Sequence, residues 1–439
     1  MSRPSRLLGR AATREALASL RKAHRRSEAA YPGDSGARQP VHTYYLGAHQ
    51  FEAETAPKLG ASALAALREH APQADTLASV LGLDREAAPT IHARVAAKLA
   101  HEPVEDLRID FEDGYANRSD AEEDRHAALT ASEAARAAGH GWLPAFFGIR
   151  IKPLSRDLAE RSLRTLDIFV ATLLAEQGRR GLVDRFVVTL PKVVAPEQVA
   201  VLARALRSLE RRGRLPAGSL ALELMVETTQ SVLAPDGAVA LPALVAAAGG
   251  RCRGAHFGTY DFTAACGITA AHQTMAHPAC DFARSVMQVA LAGTGVRLSD
   301  GGTNVLPAGP DTAAVHRAWR LHYDHVRHSL VRAFYQGWDL HPAQLATRYA
   351  AVYAFFREGL PAASRRLRQF LETAGEAARV GDVMDDAATG QGLLNFFLRA
   401  LSCGAVDAAE LEPAGLTPAE LETRSFARIL ERRRASVAP

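Results

Sequence analysis

Residues 185–212 read RFVVTLPKVVAPEQVAVLARALRSLERR and contain one complete strand-and-helix unit. The first seven of these residues form a short run, rich in β-branched side chains, that ends in a polar turn, as buried strands do. In the rest of the stretch, apolar side chains recur at every third or fourth position. They are Val199, Leu202, Leu206 and Leu209. This period predicts a helix with one apolar face, which would pack against the strand before it.

Seven further apolar runs of similar length flank this unit, and helix-like stretches separate them. The eight predicted strands are residues 42–48, 106–113, 145–151, 185–191, 220–227, 254–261, 295–300 and 337–341. Eight strands alternating with helices over about 300 residues predict a TIM-type (β/α)8 barrel, an α/β fold. A doubly wound dinucleotide fold is disfavoured, because no Gly-x-Gly-x-x-Gly follows the first strand.

The predicted barrel covers residues 41–359. Residues 1–40 are predicted to form a basic helical segment, and residues 360–439 a helical C-terminal extension that begins near Pro361. Residues 155–181 are interpreted as a long helical insertion after the third strand. The basic start is also typical of an organellar presequence, but the Ala and Arg bias continues through the whole chain and favours an ordinary amphipathic helix.

Composition excludes several classes of protein. The formal charge of the 439 residues is only +4 and the basic residues are scattered among acidic ones, so a nucleic-acid partner is not expected. No apolar run reaches the roughly 20 residues that cross a bilayer, so a membrane is not expected either. Four cysteines without Cys-x-x-Cys spacing argue against a disulfide framework and favour a reducing, cytoplasmic location.

Charged side chains are concentrated where the predicted strands end. They are Asp110, Glu112, Asp113, Arg150, Lys152, Lys192, Glu223, Glu227, Asp261, Asp300 and His341. The active sites of barrels of this type lie at the carboxyl ends of the strands. These residues are therefore the first candidates for catalysis and binding.

Two carboxylates on neighbouring predicted strands, Glu227 and Asp261, are candidate metal ligands. Oxygen donors without Cys or clustered His favour Mg²⁺ or Mn²⁺ over Zn²⁺. Judged alone, Glu227 is equally well explained as a helix-cap residue, and Asp261 as the partner of a structural arginine. Gly258, Thr259 and Tyr260 precede Asp261, and a glycine there lets backbone amides approach a substrate carboxylate closely.

Two cations complete the predicted site. Arg150 follows an apolar strand, where a surface role explains a guanidinium poorly. At that position it would hold a carboxylate bidentately and stabilise an enolate oxygen. Lys192 is predicted to pair with the three carboxylates that close the second strand and to keep them ionised.

Six short motifs follow one another at these strand ends. They are Asp110-Phe111-Glu112-Asp113, Arg150-Ile151-Lys152, Leu190-Pro191-Lys192-Val193, Glu227-Thr228, Gly258-Thr259-Tyr260-Asp261 and Gly337-Trp338-Asp339-Leu340-His341-Pro342-Ala343-Gln344. In this order the set resembles the citrate lyase β-subunit and malyl-CoA lyase family of the pyruvate/phosphoenolpyruvate barrel superfamily. The resemblance covers residues 110–344 and departs from the family at Lys152, where Asn is usual.

The resemblance implies roles for individual residues. Glu227 and Asp261 would be the metal ligands, and Glu112 and Asp113 would assist the metal site or transfer protons. The implied substrate contacts are Arg150, Gly258, Thr259 and Tyr260. Residues predicted to support these groups are Asp110, Lys192 and His341.

The predicted function is that of a Mg²⁺- or Mn²⁺-dependent carbon–carbon lyase or aldolase. Its substrate would be a small 2-oxo or 3-hydroxy acid, or the CoA thioester of such an acid. Two alternatives stay open: an acyl-CoA thioester hydrolase of the same superfamily, and a non-catalytic binding protein on the same barrel.

The C-terminal extension carries an acidic loop followed by an apolar helical run from Leu393 to Leu398. The resemblance implies that Asp385 or Asp386 completes the active site of a neighbouring subunit, which predicts a homo-oligomer. Packing within one chain would explain the apolar run equally well.

Overall fold

The computed structural model describes residues 10–177, 185–372, 378–380, 383–385 and 387–437. Eight parallel strands close into a barrel in the order in which they occur in the chain. They are β1 (His42–Gly47), β2 (Asp106–Asp110), β3 (Phe146–Arg150), β4 (Phe186–Leu190), β5 (Ala221–Val226), β6 (Cys252–Phe257), β7 (Arg297–Gly302) and β8 (Gln336–Asp339). The predicted TIM-type barrel is confirmed.

Helices connect the strands and surround the barrel. The helices up to β8 are α1 (Arg10–Ala30), α2 (Thr55–His70), α3 (Ala74–Leu81), α4 (Ala88–His101), α5 (Asp120–Gly139), α6 (Ala159–Gln177), α7 (Pro196–Gly213), α8 (Thr229–Val232), α9 (Leu241–Ala247), α10 (Thr259–Ala265), α11 (Pro278–Leu291) and α12 (Thr312–Val331). Helix α1 precedes the barrel, and its described side chains are almost all exposed. It occupies the segment predicted to be basic and helical.

The unit formed by β4 and α7 shows how local sequence builds the barrel. Pro196 stands in the first turn of α7, where its missing N–H costs no hydrogen bond. The side chain of Gln198 accepts hydrogen bonds from the free amides of Val194 and Ala195. The predicted apolar face is buried, with Val199 and Leu202 fully inaccessible to solvent. The helix is therefore held at its start by capping and along its length by burial.

Several strands end earlier than the sequence predicts, and one difference changes the site. Strand β6 ends at Phe257, whereas the predicted strand continued to Asp261. Gly258 caps helix α10, so Asp261 lies in the first turn of a helix and not at the end of a strand. The Gly258 amide still donates to the carbonyl of Val226 in β5 (3.0 Å), which joins the helix start directly to the barrel.

The centre of the barrel is polar. Arg108 of β2 pairs with Asp106 on the same strand and with Glu223 on β5 (2.5 Å), and it donates to Thr189 (3.0 Å). Glu223 also contacts His256 of β6 (2.8 Å). All five side chains are buried. Buried charges of this kind are tolerated only when they are paired, so the network ties opposite strands together beneath the strand ends.

Two boundaries predicted from the sequence are wrong. Within residues 155–181, the helix α6 simply takes the place of the connecting helix between β3 and β4, so it is part of the barrel repeat and not an insertion. The predicted boundary at residue 360 falls inside α13 (Gln344–Glu372), which continues through Pro361. Leu367 and Phe370 stay buried beyond the proline, and their packing keeps the helix continuous despite the lost hydrogen bond.

The C-terminal extension packs on its own chain. It comprises β9 (Ala378–Val380) and β10 (Val383–Asp385), which pair antiparallel, and helices α14 (Ala387–Ser402), α15 (Pro418–Leu421) and α16 (Phe426–Val437). Phe396 of α14 contacts Phe356 of α13, with ring centroids 5.2 Å apart. Arg399 pairs with Asp34 (2.7 Å), which precedes β1. The end of α14 therefore lies at the amino end of the barrel.

Across the described ranges, every helix is too short or too polar to span a membrane.

Candidate active site

The ion pair between Asp110 and Arg150 lies at the carboxyl ends of β2 and β3. Arg150 donates from Nε to one Asp110 oxygen (2.7 Å) and from Nη2 to the other (2.5 Å), and both side chains are buried. The backbone amides of Glu112 (3.0 Å) and Gly114 (2.7 Å) donate to the same carboxylate. Burial alone would lower the pKa of Arg150, but the charge of Asp110 reverses this and raises the pKa well above its ordinary value. Arg150 therefore stays cationic.

The Arg150 guanidinium packs against the rings of Tyr45 and Trp338, which together are called the aromatic floor. Its centre lies 5.0 Å from the ring of Tyr45 and 5.9 Å from that of Trp338. The Tyr45 and Trp338 rings are themselves in contact, with centroids 4.6 Å apart. The remaining nitrogen, Nη1, lies 3.2 Å from Glu112. Cation–π contact and the bidentate pair thus fix the guanidinium and leave one edge for further contacts.

Lys192, directly after β4, connects the other candidate residues. Its Nζ lies 2.6 Å from Glu112, 3.2 Å from Asp113 and 3.5 Å from Asp261. Its backbone amide donates to Glu227 (2.7 Å). To make these contacts the residue adopts a left-handed conformation with φ of 48°, which is strained for a side chain other than glycine. Lys192 thus brings together four carboxylates from the connections that follow three strands, β2, β5 and β6.

Glu112 and Asp113 have different environments although they are adjacent in sequence. Burial raises the pKa of Glu112, against the opposing charge of Arg150. Asp113 is more exposed. Its own burial would raise its pKa, but the hydrogen bond from Glu112 and the charges of Arg150 and Lys192 lower it. Of the two, Glu112 is the better proton acceptor near neutral pH, because a catalytic base works best with a pKa close to the working pH.

Glu227 is a buried carboxylate with an unusually high proton affinity. It is 1% exposed, and burial, with a further contribution from Asp261, raises its pKa to about 8. The amide of Lys192 donates to one of its oxygens. A buried carboxylate this poorly compensated by protein groups is one that a bound cation would stabilise in its ionised form.

The two residues before Asp261, Thr259 and Tyr260, carry hydroxyl groups with different hydrogen bonding. The hydroxyl of Tyr260 donates to the Gly302 carbonyl (3.1 Å) and accepts from the Asn304 amide (3.0 Å), so it ties α10 to the loop after β7. Thr259 is buried, and its hydroxyl has no hydrogen-bond partner within the described chain. Of the two hydroxyls among the predicted substrate contacts, that of Tyr260 is therefore already hydrogen-bonded, and that of Thr259 is the one without a partner in the described chain.

Lys152 and His341 lie outside this group. Lys152 turns away from the barrel mouth, donates to the Phe111 carbonyl (2.9 Å) and lies 3.4 Å from Glu123 of α5. The His341 ring accepts from the Ala343 amide (3.2 Å), and its hydrogen bonds among the described residues are all local. His341 is therefore not brought into contact with the other candidates.

The acidic loop of the extension gives no further site residue. Asp386 lies outside the described residues, and of Asp385 only the backbone in β10 is described. Their assignment to a neighbouring subunit stays a prediction.

The donor set fits a hard divalent cation. Glu227 and the 44% exposed carboxylate of Asp261 offer oxygen ligands, which Mg²⁺ and Mn²⁺ prefer. No cluster of three or more His, Cys, Asp or Glu ligands occurs in the parts of the chain that the structure covers. Water and substrate would therefore complete the coordination, as is usual for Mg²⁺.

Gly258 is required for the position of Glu227. A Cβ added to Gly258 would lie 2.4 Å from the Glu227 Cβ and 2.7 Å from its Oε2. We expect Gly258→Ala to displace Glu227 and lower the free energy of unfolding by about 1–3 kcal/mol, measured by urea denaturation. Gly139→Ala is the matched control, because nothing beyond its chain neighbours and the backbone of its own helix lies within 4 Å of the added Cβ. Equal stability of the two variants would contradict the close contact.

One protein family and several solved structures are similar to this chain. The family described as a domain of unknown function (DUF6986) matches residues 20–429. A crystal structure of a citrate lyase from Burkholderia xenovorans LB400 is similar, with a TM-score of 0.58 and 18% identity over 86% of this chain and 96% of that one. A Haloferax volcanii malate synthase gives a TM-score of 0.49 and 14% identity over 87% and 99%. No curated protein matches the sequence.

Proposed function

The chain belongs to the DUF6986 family, and we propose that it is a divalent-metal-dependent carbon–carbon lyase or aldolase. Its substrate class is a small 2-oxo or 3-hydroxy acid, free or as a CoA thioester. The likeness in fold to a citrate lyase structure agrees with this class of reaction. At 18% identity it bears on the fold alone, so the proposal depends on the site.

The observation that carries the proposal is the grouping around Lys192. Its ammonium lies within 3.5 Å of Glu112, Asp113 and Asp261, and its amide holds Glu227. A fixed guanidinium, Arg150, lies 3.2 Å from Glu112. Cleavage of an oxo or hydroxy acid needs carboxylates that hold a metal ion and accept a proton. It also needs positively charged side chains that bind the substrate anion, and this group offers both kinds of residue.

Glu227 and Asp261 would hold the metal ion. When bound, Mg²⁺ supplies positive charge that polarises the substrate oxygen and lowers the energy of an enolate. The raised pKa of Glu227 is consistent with this role, because the effect of burial outweighs the compensating charges of Lys192 and Arg150.

Arg150 would orient the substrate and stabilise its charge. Asp110 occupies Nε and Nη2, so the Nη1 edge is the part of the guanidinium that faces the Glu112 side of the site. A guanidinium fixed before the reaction loses little freedom when it binds an oxyanion. Lys192 adds a second positive charge, since its pKa is raised although burial alone would lower it.

Glu112 would move the proton. In the cleavage direction the hydroxyl proton passes to the Glu112 carboxylate and the carbon bearing that hydroxyl becomes a carbonyl. The electron pair of the broken carbon–carbon bond goes to the adjacent carbon as an enolate, which then takes up a proton to give the second product. The condensation is the reverse of these steps, and Glu112 returns the proton.

The test combines two readouts on one panel of substrates. Purified protein is incubated with Mg²⁺ and with 4-hydroxy-2-oxo acids, malyl-CoA or citramalyl-CoA, and both the released oxo acid and free CoA thiol are measured. Release of oxo acid without thiol supports the lyase. Release of thiol as the primary event would indicate a thioester hydrolase instead, and no product together with no Mg²⁺ binding would indicate a binding protein. Glu227→Gln is the control that should remove turnover.

A further inference from the structure

A separate cavity of about 250 Å³ lies at the amino end of the barrel, on the side away from the candidate active site. The segment before β1, the loop from α11 into β7, and helices α13 and α14 enclose it. Arg297 opens β7, whereas Glu227 and Asp261 follow the far ends of β5 and β6. Since a six-residue strand is about 20 Å long, the two places are distinct.

Arg297 is an unpaired charge in the wall of this cavity. Its side chain is partly buried, and its guanidinium lies 5.6 Å from the ring of Phe146 at the start of β3. It has no hydrogen bond or ion pair with any side chain of the described residues. Burial lowers the pKa of Arg297, and the attraction of Glu223 and Asp34 does not offset this. A desolvated cation without a counter-ion is costly, so this position favours an anion from outside.

Two other charged side chains of the cavity wall, Asp34 and Arg399, are already paired with each other. Arg399 donates to Asp34 (2.7 Å) and to the side-chain oxygen of Gln39 (3.0 Å), and it stacks on Tyr335 at 4.3 Å. Gln39 in turn donates to the Leu298 carbonyl (3.1 Å). Among these three charged side chains, Arg297 is therefore the one with spare hydrogen-bonding capacity within the described chain.

The remainder of the wall is largely apolar. Val41, Val296, Leu298, Tyr335, Phe356 and Leu398 all line the cavity. Ligand sites commonly combine an apolar lining with a few polar groups that fix orientation, and 250 Å³ suits only a small molecule. We propose that this cavity binds a small organic monocarboxylate with an apolar body, its carboxylate on Arg297 and its apolar part among these side chains.

Benzoate is a suitable probe, with neutral benzamide and acetate as comparisons. Isothermal titration should show saturable binding of benzoate and much weaker binding of benzamide, which lacks the charge, and of acetate, which lacks the apolar body. Arg297→Met should weaken benzoate binding about 10- to 100-fold, as expected for loss of a charged hydrogen bond. Arg150→Met, which removes the active-site guanidinium, should leave this binding unchanged.

Locating the bound benzoate in the unaltered protein makes the test independent of how the variants fold. Hydrogen exchange should slow, on addition of benzoate, in residues 291–298 and 395–403. The absence of saturable benzoate binding would overturn the proposal. So would binding that Arg150→Met abolishes and Arg297→Met retains, since the ligand would then occupy the active site. None of these outcomes depends on whether the protein is a lyase.

Discussion

Replacing Asp261 by alanine is expected to lower metal-dependent turnover at least about 100-fold, because one of two protein ligands is lost and the cation is misplaced. The fold should survive. The Asp261 side chain is 44% exposed and its ion pair with Lys192 is 3.5 Å long. Its position in the first turn of α10 contributes at most about 1 kcal/mol through the helix dipole. Turnover and Mg²⁺ affinity, measured by titration calorimetry, should fall together.

Asp261→Asn provides the graded control. It keeps one oxygen donor and the size of the side chain, so Mg²⁺ affinity should lie between that of the parent and that of Asp261→Ala. Thermal unfolding of all three proteins should be similar. Unchanged Mg²⁺ dependence in Asp261→Ala would contradict the assignment of this residue as a ligand.

The fold could be predicted from the sequence because its signal is repeated. Each buried strand is a short apolar run, and each helix has a period that buries one face, as in residues 185–212. Eight such units leave few architectures to consider. The boundaries of the elements are harder to predict from the sequence, for a physical reason. Pro361 is normally a helix breaker, but burial of Leu367 and Phe370 holds α13 together beyond it.

The candidate site could be predicted in part. Charged residues at strand ends follow from barrel geometry, and the structure brings Asp110, Glu112, Arg150, Lys192 and Glu227 together. The sequence does not predict the helical position of Asp261, since Gly258 fits equally well as a strand residue or as a helix cap. The left-handed backbone of Lys192 has no signal in the local sequence, because it depends on contacts with residues far along the chain.

The aromatic floor was missed entirely. Tyr45 lies in β1 and Trp338 in β8, nearly 300 positions apart, and the two rings meet only because the barrel closes. The sequence signal that could have found this contact is the presence of aromatic residues on the first and last strands, because these two strands are neighbours in a closed barrel. The buried Tyr45 hydroxyl lacks a hydrogen-bond partner among the described residues, which leaves it available to a group in the barrel.

Arg150→Lys is expected to lower kcat/KM by roughly 10- to 1,000-fold although the charge is retained. Lysine cannot pair with Asp110 through two nitrogens and present a third nitrogen toward Glu112 at the same time. The contact with developing charge would be lost more completely than the contact with bound substrate. The decrease should therefore appear mainly in kcat, as measured by steady-state kinetics under saturating Mg²⁺.

Arg108→Lys separates this effect from general damage to the barrel. Arg108 is also a buried guanidinium shared between two carboxylates, Asp106 and Glu223, but it lies inside the barrel below the strand ends. Both substitutions remove comparable buried contacts, so both variants should lose thermal stability. Only Arg150→Lys should lose kcat in the folded enzyme, because only Arg150 reaches the group around Lys192. If Arg150→Lys matches its parent in kcat, or if Arg108→Lys loses as much, the guanidinium of Arg150 supports the fold and does not contact the substrate.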